Sequence, residues 1–206
     1  MNDIDFSALL VSRVCHDLVG PMGAVVNGLE VLEDERDAAM RADALKIVNS
    51  SAAQALARLQ FLRIAFGAAG SAGAELDLNE VGRLVTGLLS GTKVQLVWQA
   101  AHLHWPKDWA KLLMNCAIIA ADCLPRGGEV KVETSQDQAA PSFKITATGT
   151  GARVVEEVVR AVRGESSQEA LDARGIQPYL TSRLARGVNA GLTMTAGDGH
   201  VVLIAG

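Results

Sequence analysis

His16 is the residue whose type and surroundings most clearly suit chemistry. Imidazole is a good nucleophile near neutral pH, because its unperturbed pKa is about 6.5. Around it, Val14, Leu18, Pro21, Val25, Leu29 and Leu32 step by threes and fours, the spacing of one helical stripe. At about 100° per residue, Val14 and Leu18 fall about 160° to either side of His16 and Val25 almost opposite. A stripe that faces the core therefore turns His16 to solvent. Ser12, Gly20, Gly23 and Asn27 lie within about 40° of the imidazole's direction. Such small neighbours leave a flat approach for another protein. Glycine inside a helix costs about 1 kcal/mol relative to alanine, so Gly20, Gly23 and Gly28 together give up about 2–3 kcal/mol. Tight helix packing explains Gly28, and docking explains Gly20 and Gly23. Spacing alone also allows His16 to be an ordinary surface histidine.

Other residues invite chemistry less. Arg13 lies about 60° from His16 on the same side and could meet a docking partner, or be a plain surface charge. Cys15 diverges from His16 by about 100°, too far for a thiol–imidazole pair, and reads as a half-buried packing residue. Cys116 and Cys123 are two helical turns apart and read as small apolar groups facing a sheet. His102 and His104 could form half a metal site, but no cysteine or acid cluster sits nearby. Trp98, Trp105 and Trp109 read as core or junction anchors.

The elements that must position His16 fall into two parts. Residues 5 to 67 read as an antiparallel helical hairpin interrupted by the charged run Glu33–Asp37, a solvated loop. A second stripe runs through Leu45, Val48, Ala52, Leu56, Leu59, Leu62 and Phe66. Two such helices make a thin core, which is usually completed by dimerisation into a four-helix bundle. Gly70–Gly73 reads as a linker, dividing the chain into a hairpin domain over 1–70 and a second domain over 71–206.

In the second part, helices are expected over Asp77–Leu89, Pro106–Leu124, Arg153–Val162 and Pro178–Arg186. Strands are expected over Val94–Trp98, Glu129–Thr134, Phe143–Thr148, Leu192–Ala196 and His200–Ile204. The fold class is α+β, a helical hairpin joined to an α/β sandwich with its helices on one face of the sheet.

Composition bounds the partners. The 206 residues are 49% apolar, enough for a real core. A net charge of −4, from 19 basic and 23 acidic residues, argues against nucleic acid or an anionic membrane as the main partner. No uninterrupted apolar run reaches the length of a membrane span. The acidic start Met1-Asn2-Asp3-Ile4-Asp5 is unlike a secretory signal. Three cysteines without framework spacing suit a reducing compartment. The expected location is the cytoplasm.

Cys15-His16-Asp17-Leu18-Val19-Gly20-Pro21-Met22-Gly23-Ala24 resembles the phospho-accepting box of two-component histidine kinases, with a histidine, an acid, a leucine and a proline five places on. Carried through Asn27-Gly28-Leu29-Glu30, the run is similar to the ChpT-type histidine phosphotransferases. Those proteins pair a dimerising hairpin with a domain shaped like a kinase ATP-binding domain. The resemblance implies that His16 carries the phosphoryl group and that Asp17 orients its ring or takes its other proton. It also implies contact with receiver domains near Ser12, Arg13, Gly20, Gly23 and Asn27. Gly20 stands where many kinases have the Thr or Asn that positions a hydrolytic water, which implies little phosphatase action.

The same likeness lets the nucleotide-binding positions be compared. Anchored on Gly127-Gly128, the two asparagines of the kinase Asn-x-x-x-Asn box become Asn115 and Ile119, and an aliphatic side chain cannot coordinate Mg²⁺. The basic residue expected three places later is Asp122, of the wrong sign for triphosphate. The Asp-x-Gly-x-Gly box reads Ala147-Thr148-Gly149-Thr150-Gly151, without its carboxylate, and Gly149 and Gly151 read best as a turn. Pro178 has no N–H to offer near the expected phosphate lid.

The implied function is a phosphorelay intermediate. It receives a phosphoryl group from a hybrid kinase's receiver and passes it to a receiver such as that of a CtrA-like cell-cycle regulator. It needs no ATP and no resident cofactor, and the receivers supply Mg²⁺. The alternatives are a non-catalytic, kinase-derived adaptor and an ATP-using autokinase.

Overall fold

A computed structural model describes residues 2–67, 73–165, 171–172 and 175–206. The expected linker at Gly70–Gly73, apart from Gly73 itself, and the boundary between residues 70 and 71 lie outside the described residues. The hairpin is present. Helix α1 spans Asp3–Asp34 and α2 spans Ala38–Ala65. The Asn2 side chain caps α1 by accepting from the Asp5 N–H at 2.8 Å, and Asp3 and Asp5 complement the positive end of the helix dipole. Asp37 caps α2, accepting from the N–H groups of Ala39 and Met40.

The charged run between the helices is a built corner. One Glu35 carboxylate oxygen accepts from the N–H of Arg36 at 2.7 Å and of Asp37 at 2.8 Å, which holds its pKa below the usual carboxylate range. The Arg41 guanidinium donates to the carbonyls of Leu32 and Glu35.

Gly28 is the only residue of α1 that is buried, and the reason is contact. A Cβ there would lie 2.6 Å from a Val48 methyl, whereas one at Gly20 or Gly23 would meet nothing within 4 Å. Gly28→Ala is therefore expected to lower stability by about 1–3 kcal/mol through overpacking against a stiff β-branched side chain. Gly20→Ala should raise stability by up to about 1 kcal/mol. Thermal unfolding of the two variants checks both signs.

The second stripe divides on folding. The inner face of α2 is made by Ala44, Val48, Ser51, Ala55 and Leu62. Leu45, Leu56 and Leu59 stay 48–56% exposed. Val19, Met22, Val26 and Leu29 of α1 are likewise 47–69% exposed. In an antiparallel pair, rotations of the same sense away from the contact bring both sets to one side. The hairpin therefore has a continuous open apolar face. This surplus also gives α1 an 18-residue window of mean hydropathy 1.3, long and apolar enough by length and composition to cross a membrane. The expectation of no such segment rested on uninterrupted runs, and α1 is interrupted by Arg13, His16 and Asp17.

The second part opens with β1 (Glu75–Asp77), α3 (Leu78–Leu89), β2 (Val94–Gln99), β3 (His104–Pro106) and α4 (Lys107–Asp122). It continues through β4 (Gly128–Thr134), β5 (Phe143–Thr148), α5 (Glu156–Arg163), α6 (Ile176–Gly187), β6 (Leu192–Gly197) and β7 (His200–Ala205). The main sheet has the order β2-β4-β5-β7-β6, parallel between β2 and β4 and antiparallel elsewhere. Val132, Ile145, Leu203 and Met194 align across it in register, all buried. Their alternation partners Lys131, Glu133 and Lys144 point to the other, polar face. Helices α3, α4 and α5 contact the sheet and α6 packs on α4 and α5, the expected sandwich.

A short antiparallel ribbon of β1 with β3, outside the expected strands, places Trp105 in the core at 0% exposure. Trp105, Trp109 and Phe143 then stack edge to face at 6.1 and 6.5 Å. Trp98 lies over Gly82, where any Cβ would strike its ring.

The two parts share one apolar cluster. Phe61, Leu62 and Ala65 at the end of α2 are buried with α3 and α4 residues, and the Asn115 amide donates to the Ala65 carbonyl at 3.1 Å. Near the start of α1, Phe6 meets Tyr179 edge to face at 6.1 Å, and the Arg183 guanidinium lies 4.7 Å from the Phe6 ring centre.

Candidate phosphoryl-accepting site

His16 stands on α1 with its side chain 63% exposed. Ser12, Gly20, Gly23 and Asn27 are exposed on the same face, and Arg13 is turned partly inward. The structure thus brings the sequence candidates together on one helix face. Pro21 has no N–H to give the carbonyl of Asp17 four residues back, so one helix hydrogen bond is missing beside the histidine.

Asp17 is 15% exposed and engaged through both carboxylate oxygens. Oδ2 accepts from Arg13 Nε at 3.0 Å, and Oδ1 lies 3.3 Å from His16 Nδ1. An ionised carboxylate can only accept, so this contact makes Nδ1 the protonated nitrogen and leaves the lone pair on Nε2. Arg13 occupies one carboxylate oxygen and thereby restricts Asp17 to one orientation toward the ring. The arrangement can support nucleophilic attack through Nε2. Positive charge that forms on the ring meets Asp17.

Beside this group a cleft of about 360 Å³ opens between the hairpin and the second part. Arg13, Asp17 and Arg58 line it from the hairpin, with Lys93, Asp122 and Pro125 opposite. A second cavity of about 460 Å³, lined by Ile119, Cys123, Arg153, Val155 and Gln177, adjoins it. Arg13, Asp122 and Pro125 line both, forming the wall between them. Protein packed around the Asp122 carboxyl raises its pKa; Arg13 opposes this, Asp17 adds to it and Arg58 opposes it again.

The positions compared with a nucleotide pocket have structural occupations. The Asn115 amide donates to the carbonyls of Ala65 and Lys111, and Ile119 is 2% exposed. Gly149 and Gly151 form a turn in which the Gly149 N–H donates to the Gly199 carbonyl and Gly151 takes a φ of 76°. Pro178 is buried in the first turn of α6.

Other candidates resolve simply. His102 Nδ1 is 2.9 Å from the Asn79 side-chain oxygen, and His104 pairs in register with Asp77, the cap of α3. Cys116 and Cys123 are buried, and burial pushes their thiols up, that of Cys123 to about 12. Cys15 is exposed rather than half-buried, because it lies on the open apolar side of α1 and not against α2.

Sequence reasoning missed Asp122 and Arg58 as neighbours of the histidine group. Helical spacing on its own could have found the Arg13–Asp17 pair, an i,i+4 contact. No local signal could place Asp122, at the end of α4, in one cleft with Arg13 and Asp17.

Comparisons with known proteins bear on the family and the fold. Residues 78–200 match the family described as Histidine phosphotransferase C-terminal domain. The chain is 39% identical over 200 residues to Protein phosphotransferase ChpT of Brucella abortus (strain 2308), covering 96% of this chain and 94% of that one. The solved structure of a bacterial phosphotransferase superposes with a TM-score of 0.90 at 36% identity, covering 100% of this chain and 98% of the other. The histidine kinase domain of the Erythrobacter litoralis EL346 blue-light-activated kinase, at 15% identity and a TM-score of 0.50 over 90% and 92% of the two chains, shares the fold. A hairpin carrying an exposed, carboxylate-held histidine, a kinase-like sandwich behind it and this close relationship lead to one conclusion: the chain belongs to the ChpT-type histidine phosphotransferases.

Proposed function

We propose that this chain relays a phosphoryl group between receiver aspartates through Nε2 of His16, without using ATP. The observation that carries the reading is the exposed imidazole whose Nδ1 is held by an Arg13-bound Asp17. In the forward step, Nε2 attacks the phosphorus of a receiver's aspartyl phosphate. The N–P bond forms, the P–O bond to the carboxylate breaks, and the ring becomes a phosphoimidazolium whose Nδ1 proton faces Asp17. The second receiver reverses these events, taking the phosphoryl group onto its own aspartate. Phosphoryl transfer asks for little covalent help, so positioning and charge supply most of the rate, with Mg²⁺ carried by the receivers.

The partners proposed are a hybrid-kinase receiver as donor and a CtrA-like receiver, within cell-cycle control, as acceptor. Ser12, Gly20, Gly23 and Asn27 form the surface they approach. The protein works as a homodimer in the cytoplasm, its hairpin completed to a four-helix bundle. Independence from ATP is supported by the buried Ile119, an aliphatic side chain with no oxygen to offer where a second asparagine would hold Mg²⁺.

Incubation with a phosphorylated receiver and Mg²⁺ should place acid-labile, base-stable label on the chain, and calorimetry with ATP and Mg²⁺ at millimolar concentration should show no binding heat. Binding of the receiver with no label would favour the adaptor, and tight ATP binding would favour the autokinase.

A further inference from the structure

We propose that Phe6 is a positioning residue for phosphoryl transfer: gripped by Tyr179 and Arg183, it fixes the second domain in one setting beside His16, so that an arriving receiver meets a surface already in shape. This rests on the phosphorelay reading above and adds a residue to it. Phe6 belongs to the hairpin, near the start of α1, while both of its partners stand on α6. The Phe6 and Tyr179 rings meet edge to face with their centres 6.1 Å apart. The Arg183 guanidinium lies over the Phe6 ring, 4.7 Å from its centre. Both are distances at which such pairs attract.

Helical geometry ties this grip to the site. Arg13 and Asp17 follow Phe6 by seven and eleven residues, so both lie within about 20° of its direction on α1. The face of α1 that carries the grip is therefore the face that lines the cleft, with Lys93, Asp122 and Pro125 opposite. His16 lies about 80° to the side of Phe6 and about 15 Å further along the axis, which puts it beside the cleft.

The other helix of the hairpin is held as well. Phe61, Leu62 and Ala65 at the end of α2 are buried in the shared core, and the Asn115 amide of α4 donates to the Ala65 carbonyl at 3.1 Å. One attachment leaves a domain free to swing about it. A second attachment, on a separate helix, removes that swing. A receiver that lands against a fixed surface gives up less freedom than one that must order a domain as it binds.

The experiment uses the full chain and the variants Phe6→Ala, Arg183→Ala and Phe6→Trp. Tyr179 is the only tyrosine, so incorporated fluorotyrosine gives one ¹⁹F signal, at the grip itself. Phe6→Ala should move that signal toward the position of an unstacked ring. Transfer from a phosphorylated receiver should then need about tenfold more receiver for half-maximal rate, with the maximal rate within about twofold of the parent. Phe6→Trp, which keeps an aromatic face, should recover most of the parental value. Arg183 is exposed, so Arg183→Ala carries the test if Phe6→Ala folds poorly, with a rise of about threefold. Phosphoramidate is the control. It labels His16 without docking, its own N–P bond breaking as the bond to the ring nitrogen forms and ammonia leaving, and its rate should be equal in all variants. An unmoved ¹⁹F signal in Phe6→Ala overturns the proposal, as does parental half-saturation in both alanine variants. A phosphoramidate rate that falls along with the receiver rate also overturns it, since Phe6 would then act on the fold or on the histidine. A parent labelled by phosphoramidate but by no phosphorylated receiver refutes the relay and the positioning role together, whereas a competent parent with indifferent variants refutes the positioning role alone.

Discussion

His16→Gln should abolish acceptance of phosphate from a phosphorylated receiver, with a loss of at least about 10³-fold in transfer rate, while receiver binding persists. Glutamine keeps a polar side chain on the exposed face of α1 and removes the nucleophile. The substitution touches no buried contact, since the imidazole is 63% exposed, and thermal unfolding should be unchanged within about 0.5 kcal/mol. Asp17→Asn is expected to be milder and mechanistically distinct. It keeps an acceptor oxygen near Nδ1 but loses the charge that stabilises the phosphoimidazolium, giving a loss of about 10–10²-fold. Arg13 would also lose its ion pair at 3.0 Å. Radiolabel transfer followed by acid and base treatment reads both variants. Label that survives His16→Gln would remove His16 from the mechanism.

Leu56→Glu should convert the proposed homodimer to a monomer. Its side chain lies 56% exposed within the open apolar face that also holds Leu45 and Leu59 of α2 and Val19, Met22, Val26 and Leu29 of α1. An unbroken apolar surface of this kind on a monomer is uncommon and marks an interaction site. A second hairpin laid against it completes a four-helix core. A carboxylate at its centre must be desolvated without a partner, so the dimer constant should weaken by about 10² or more. Sedimentation across a micromolar concentration series measures this directly. A parent chain that remains monomeric at those concentrations would refute the bundle. So would a Leu56→Glu dimer of parental strength. His16 lies beside this face and outside it, so the dissociated variant should still accept label, at a rate that reports how far the second hairpin helps.

Much of this structure was legible in the residues, and what was missed has physical causes. The helices and the five strands of the main sheet carry their own periodicity, so Asp3–Asp34, Ala38–Ala65 and Phe143–Thr148 emerge nearly at their observed limits. The ribbon of Glu75–Asp77 with His104–Pro106 escaped because three residues are too few to show alternation, and its pairing spans a whole helix and strand. The stripe on α2 was real, yet residues such as Leu56 turned out to face outward. Periodicity shows which residues share a face, not what covers that face. The same limit misjudged Cys15. At the site, His16 and its small neighbours could be read from helical geometry, and the Asp17 contact from the resemblance. Asp122 could not, because its place in one cleft with Arg13, Asp17 and Arg58 depends on how two separately encoded units pack.

Among the three cysteines, one thiol is open to solvent and two are sealed in the core, the Cys123 thiol with a pKa near 12. Their reactivities toward maleimides must therefore differ by orders of magnitude, since the thiolate is the reacting species. The native chain thus carries a single selective attachment point, one residue from the proposed phosphoryl acceptor. A spin label or fluorophore placed there would report on subunit pairing and receiver arrival in real time, with no engineered substitution at all.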